Sequence, residues 1–229
     1  EKPKKSNNTM RIQKTTHARP GFTLIELLVV ITILAILMTI AVPNITGAIA
    51  NAKMTKSVAS ARGVVTGLIT YASDNEQNFP YTEEDNSNAA FRQLFEEQAM
   101  DNEKPFWFAQ SPFCKTVNAI DNVMEDESGE ISQEECLRKG ENCWAYVNGL
   151  SQLSRSTTPI VFDGFTGDNL NYDETHPWFK QKKCIVGRPD GSASPEKLDK
   201  KDFFIRDGRG NNMLAEENLP EGTTVLNPL

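Results

Sequence analysis

The hydrophobic pattern is dominated by one run. From Phe22 to Val42 nearly every residue is apolar or weakly polar, and Glu26 is the single charge. About twenty residues rising about 1.5 Å each match the roughly 30 Å hydrocarbon core of a bilayer. Pro43 closes the run, but the pattern continues as an amphipathic one. Ile45, Ala48, Ile49 and Ala52 recur at i, i+3, i+4 and i+7, and Val65, Leu68, Ile69 and Ala72 repeat the spacing. The spacing predicts a nearly continuous helix from Phe22 to about Ser73, bent at Pro43 and Gly47. Within its apolar half, Thr32, Ala35, Thr39 and Ala41 are small enough for close helix–helix approach in lipid.

Beyond Tyr71 the pattern shortens. Asn88–Met100 predicts a short amphipathic helix with Asn88 as its N-cap and Phe91, Leu94 and Phe95 inward. The aromatic stretch 105–114, with Phe106, Trp107, Phe108 and Phe113, reads as core. Glu125–Glu135 reads as an acidic, solvated loop. Short apolar runs bounded by turn formers predict strands at 143–148, 159–163 and 183–187, with a fourth candidate at 202–206. Asp190-Gly191 predicts a turn, and 206–229 an irregular tail. Short strands without intervening long helices make an antiparallel sheet, and the expected fold is α+β.

Charge sets the orientation. Lys2, Lys4, Lys5, Arg11, Lys14 and Arg19 precede the apolar run against one acid, Glu1. A basic flank stays on the cytoplasmic side, so the remainder is exported. The chain carries a net charge of −7, and without residues 1–21 the balance is 18 basic to 30 acidic groups. So acidic an exported part argues against nucleic acid as a main partner, since phosphate contacts need clustered Lys and Arg.

Glu26 is the anomaly. Even low values for a charge at the bilayer centre are about 2.5–3.5 kcal/mol. No Lys or Arg lies within the run. Cleavage between Gly21 and Phe22 would create an α-amine at Phe22, four residues from Glu26. No small-residue signal-peptidase site directly follows Val42.

Gly21-Phe22-Thr23-Leu24-Ile25-Glu26 resembles the prepilin signature of type IV pilins and type II secretion pseudopilins. The resemblance covers about residues 10–75. It implies that prepilin peptidase cuts after Gly21 and methylates the Phe22 amine, and that Glu26 is the assembly carboxylate, paired with the N-terminus of a neighbouring subunit. Pro43 falls where many members of that family bend their helix. The implied fold is pilin-like, a long N-terminal helix packed on a small antiparallel sheet. The expected organisation is a leader over 1–21, a membrane-spanning half-helix over 22–42, an amphipathic half over 43–75 and an exported domain over 76–229. Glu1 is not a methionine, and Met10 is an alternative start.

The implied partners are prepilin peptidase, other pilin-like subunits, an inner-membrane assembly platform with its ATPase, and membrane lipid. The helix end, Tyr71 with Asp74-Asn75 and then Phe79-Pro80, resembles pseudopilins of the secretion type. It favours a type II secretion pseudopilus over a type IV pilus for adhesion, motility or DNA uptake. A different class stays open, a membrane-anchored extracytoplasmic binding protein that never polymerises.

Candidate chemistry is sparse. Cys114, Cys136, Cys143 and Cys184 all follow the helix, and an even count outside the cytoplasm points to two disulfides of open connectivity. None has the close spacing of a zinc pair. Asp163, Asp168 and Asp173 share a Gly/Asn-rich segment and are candidate calcium ligands; side-chain-capped turns are the competing reading. No cofactor is required. The two histidines, His17 and His176, lie in no nucleophile or metalloprotease motif, and an enzyme is not expected.

Overall fold

The structure, a computed structural model, describes residues 22–108, 110–114 and 136–229. The leader, Gly21 included, and the acidic segment 125–135 lie outside the described residues. The chain divides into two compact units, Glu1–Ala48 and Ile49–Leu229. Helix α1, Leu24–Asp74, contributes to both.

In the first unit, Leu, Ile, Val and Ala fill the helix and its large apolar side chains are exposed. The most apolar window of α1 buries nothing and is long enough to cross a membrane. Its polar side chains are satisfied within the helix. Thr32 Oγ1 donates to the Leu28 carbonyl and Thr39 Oγ1 to that of Ile36, each at 2.7 Å, and Asn44 Nδ2 donates to the Ile40 carbonyl at 3.0 Å. In lipid, which offers no water, such back-bonding is how a hydroxyl stays satisfied. Pro43 and Gly47 lie inside the helix.

In the second unit, α1 buries Met54, Ser57, Ala61, Val64, Val65, Leu68 and Ala72, a stripe of helical period. Ile69 is half-buried, whereas Ile45 and Ile49, expected on the same stripe, are 54% and 50% exposed. Helix α2, Ser87–Glu96, starts two residues earlier on its cap than expected. Asn86 is the N-cap and its side chain accepts from the Ala89 amide at 3.0 Å. Asn88 is instead buried inside the helix, and its amide donates to the Leu137 carbonyl at 2.7 Å. The aromatic stretch is core in part: Phe106 and Phe108 are buried, Trp107 and Phe113 are half-buried, and Phe106 meets Phe91 at 5.0 Å between ring centres.

Among the described residues five strands form one sheet: β1 Trp144–Asn148, β2 Val161–Asp163, β3 Lys183–Gly187, β4 Ala193–Lys197 and β5 Thr224–Leu226. Their order is β4-β3-β2-β1-β5 and every pairing is antiparallel. The central strands β1 and β2 are buried throughout, which is why they read as continuous apolar runs. This is the α+β class expected from the pattern and the pilin-like arrangement that the resemblance implies.

The edges differ from expectation. Segment 202–206 is not a strand. Asp199 Oδ1 accepts from the amides of Lys201 and Asp202 at 2.8 and 3.0 Å, and Phe203 has φ +54°. Its ring leaves the sheet to meet Phe179 at 4.6 Å. Only isolated bridges, Leu198 with Ile205 and Arg206 with Asn212, form there. The fourth strand is β4, polar and half-exposed, with Pro195 tolerated because it lies at the edge. The tail holds β5, which closes the other edge beside β1. The expected turn at Asp190-Gly191 joins β3 to β4, with Gly191 at φ +84°.

Candidate functional site

The residues that carry the expected chemistry sit at the N-terminal end of α1. Phe22 is 72% exposed and precedes the first helical residue, Leu24. Thr23 is the cap. Its amide donates to Glu26 Oε2 at 2.9 Å and its hydroxyl donates to the same oxygen at 2.7 Å. In return the Glu26 amide donates to Thr23 Oγ1 at 3.3 Å. This is a capping box, the Ser/Thr-x-x-Glu device that satisfies orphan donors of a first turn. A carboxylate there also faces the positive end of the helix macrodipole.

Sequence reasoning left Glu26 without a partner until cleavage supplies an amine. The structure corrects this, because Thr23 already offers it two donors. The signal was present as Thr23-Leu24-Ile25-Glu26, one residue beyond the cleavage pair. Hydrogen bonds orient the carboxylate but leave its charge uncompensated, so the demand for a cation in a low-dielectric setting stands. The described residues bring no Lys or Arg side chain into an ion pair with Glu26.

The candidate calcium ligands are not gathered into one site. Asp163, on β2, is buried; its Oδ2 accepts from the Ile185 amide at 2.8 Å and lies 3.3 Å from His176 Nε2. Tyr172 hydroxyl donates to the Asp163 carbonyl at 2.8 Å. Asp168 is exposed. Asp173 Oδ1 caps its own turn, accepting from the Thr175 amide at 2.9 Å. The Thr175 hydroxyl holds the Asp173 carboxyl below its usual range. Among the described residues no group of three or more His, Cys, Asp or Glu side chains is placed to hold a metal. The self-capped turn is what Asp173 adopts.

The cysteines fall into different surroundings. Cys143, at the mouth of β1, and Cys184, on β3, are buried, and Cys114 is half-buried. Cys136 is buried, and its carbonyl accepts from Arg92 Nε at 2.9 Å. The structure contains no disulfide between them.

Residues 17–42 match the family model of the prokaryotic N-terminal methylation motif, the signature of type IV pilins and pseudopilins. That match spans the expected cleavage pair, the capping box and the apolar part of α1. Neither the curated proteins nor the solved structures yielded a match to the chain.

Proposed function

We propose that the chain is a pilin-like structural subunit, cut after Gly21, methylated at Phe22 and polymerised into the pseudopilus of a type II secretion system. The observation that carries this reading is the coincidence of the methylation motif over residues 17–42 with a first turn built around Glu26 and an apolar stretch of α1 that buries none of its own surface. An unburied apolar helix needs lipid or other helices around it.

The monomer is stored in the inner membrane through the first half of α1, with its C-terminal domain outside the cytoplasm. A platform and its ATPase extract it. As helices gather, Glu26 meets the Phe22 amine of a neighbour. Because Thr23 holds Glu26 Oε2, the other oxygen is left to face that cation. Pro43 and Gly47 let the helix bend where the apolar half gives way to the amphipathic half. The secretion assignment over a pilus rests on the helix-end resemblance at Tyr71–Pro80 and on the acidity of the exported part.

N-terminal sequencing with intact mass of the envelope-bound protein tests the reading. A chain beginning at methylated Phe22 is expected. A working form that still carries residues 1–21 rejects it.

A further inference from the structure

We propose that Cys114 and Cys143 close as a disulfide in the exported protein, and that Cys114 is the thiol at which oxidation enters. The two thiols are neighbours within reach of each other. Each is held there by its backbone. The Cys114 amide donates to the Ser111 carbonyl at 3.3 Å. The Cys143 amide donates to the Phe106 carbonyl, and the Cys143 carbonyl accepts from the Gly164 amide, both at 2.9 Å. Phe113, the residue before Cys114, packs so closely on Gly164 that a Cβ there would lie 2.7 Å from its Cε2. The turn carrying Cys114 is thus seated on the strand ends that carry Cys143. Cys184 lies elsewhere, beside Tyr172 and Asp163.

The two thiols are unequal in a way that sets the order of events. Cys114 is half-buried; the neighbouring Cys143 thiol lowers its pKa, favouring the thiolate. Cys143 is enclosed, and burial raises its pKa. Exchange needs an accessible thiolate. Cys114 attacks a sulfur of a disulfide oxidant, forming a mixed disulfide and expelling one thiolate. Cys143 then loses its proton, attacks the Cys114 sulfur and expels the second. The protein's two thiols give up two electrons and two protons, and the oxidant's disulfide takes them as two thiols. The proposal rests on the export reading above, because disulfides persist outside the cytoplasm.

The test uses full-length protein from cell envelopes, alkylated at lysis, digested without reductant and mapped by mass spectrometry. A peptide containing Cys114 joined to one containing Cys143 is expected. Alkylated Cys114 and Cys143, or Cys143 joined to Cys136, overturns the proposal. The same digest reads the N-terminus. A retained leader with joined cysteines sinks the subunit reading alone, and methylated Phe22 with alkylated thiols sinks the disulfide alone. For the order of attack, reduced full-length Cys143→Ser and Cys114→Ser, each with a near-ultraviolet spectrum matching the parent, are treated with oxidised glutathione. Cys114 in the first variant should form its adduct at least about tenfold faster than Cys143 in the second, as thiolate access dictates. Equal rates, or faster reaction at Cys143, overturn the assigned order.

Discussion

A Cβ added to Gly187 would stand 2.6 Å from Val65 Cγ2. The glycine on β3 therefore lets the sheet approach the buried stripe of α1 more closely than any side chain would allow. The same approach is seen at the edge, where Arg62 Nη2 reaches the Ala193 carbonyl at 3.2 Å.

Gly187→Ala should accordingly force the helix and strand apart. Overpacking of this kind costs about 1–3 kcal/mol. Thermal unfolding of the detergent-solubilised full chain should show a lower midpoint than the parent. An unchanged midpoint would mean that the contact relaxes without cost.

Asn142 offers a second test of the interior. Its amide donates to Ser87 Oγ at 2.9 Å and Asn88 Oδ1 at 3.0 Å, while its Oδ1 accepts from the Trp144 amide at 2.9 Å. These bonds tie α2 to the start of β1. Asn142→Ala leaves the Trp144 amide buried without that acceptor, at a cost of about 1–3 kcal/mol. Chemical denaturation should register the loss as a lower midpoint with an unchanged slope.

At the other end of the chain, Thr23→Val removes the hydroxyl from the capping box while keeping its shape. Cleavage after Gly21 should persist, since the scissile pair is intact. Incorporation into filaments should fall several-fold, because Glu26 loses one of its two orienting donors. Glu26→Ala should go further, leaving processed monomer in the membrane. Sheared-filament yield against membrane-bound subunit measures both, and parental yield from Glu26→Ala would remove the assembly role.

The β3–β4 turn should be acid-sensitive. The Ser192 side chain and then its amide hold the Asp190 carboxyl below its ordinary value. A carboxyl depressed in the fold contributes stability that is present above its unfolded pKa and lost as pH falls through the lower, folded one. The group is nearly fully solvated, so the contribution is small. Amide exchange at Ser192 should quicken below the usual carboxylate range, and Asp190→Asn should abolish that acid step.

The helix and the central strands were legible because burial on all sides, or immersion in lipid, leaves an apolar record. Trp144–Asn148 and Lys183–Gly187 carry it plainly. The edge strands do not: Ala193-Ser-Pro-Glu-Lys197 needs only one covered face, and Thr224–Leu226 is too short to alternate. Phe203 and Phe204 misled because two aromatics suggest a strand, whereas Phe203 is drawn to Phe179 beyond a turn that Asp199 builds. Asn86 rather than Asn88 caps α2 because Asn88 is spent on Leu137. At the candidate site the lone charge of Glu26 in an apolar run was legible from residue types, and the expected cleavage pair Gly21-Phe22 from the resemblance. Thr23 carries no charge and its role depends on backbone donors, which residue types do not display.

The sheet order has a consequence for how the chain becomes a finished domain. Strand β1 lies between β2, which follows it closely, and β5, made of Thr224–Leu226. In a chain that leaves the cytoplasm anchor first, β1 emerges long before its second neighbour. For that interval its outer row of amides and carbonyls is a raw margin, open to any extended segment nearby. The closing stitch comes late, when β5 pairs and the Leu229 amide reaches Asn88 Oδ1 at 3.2 Å.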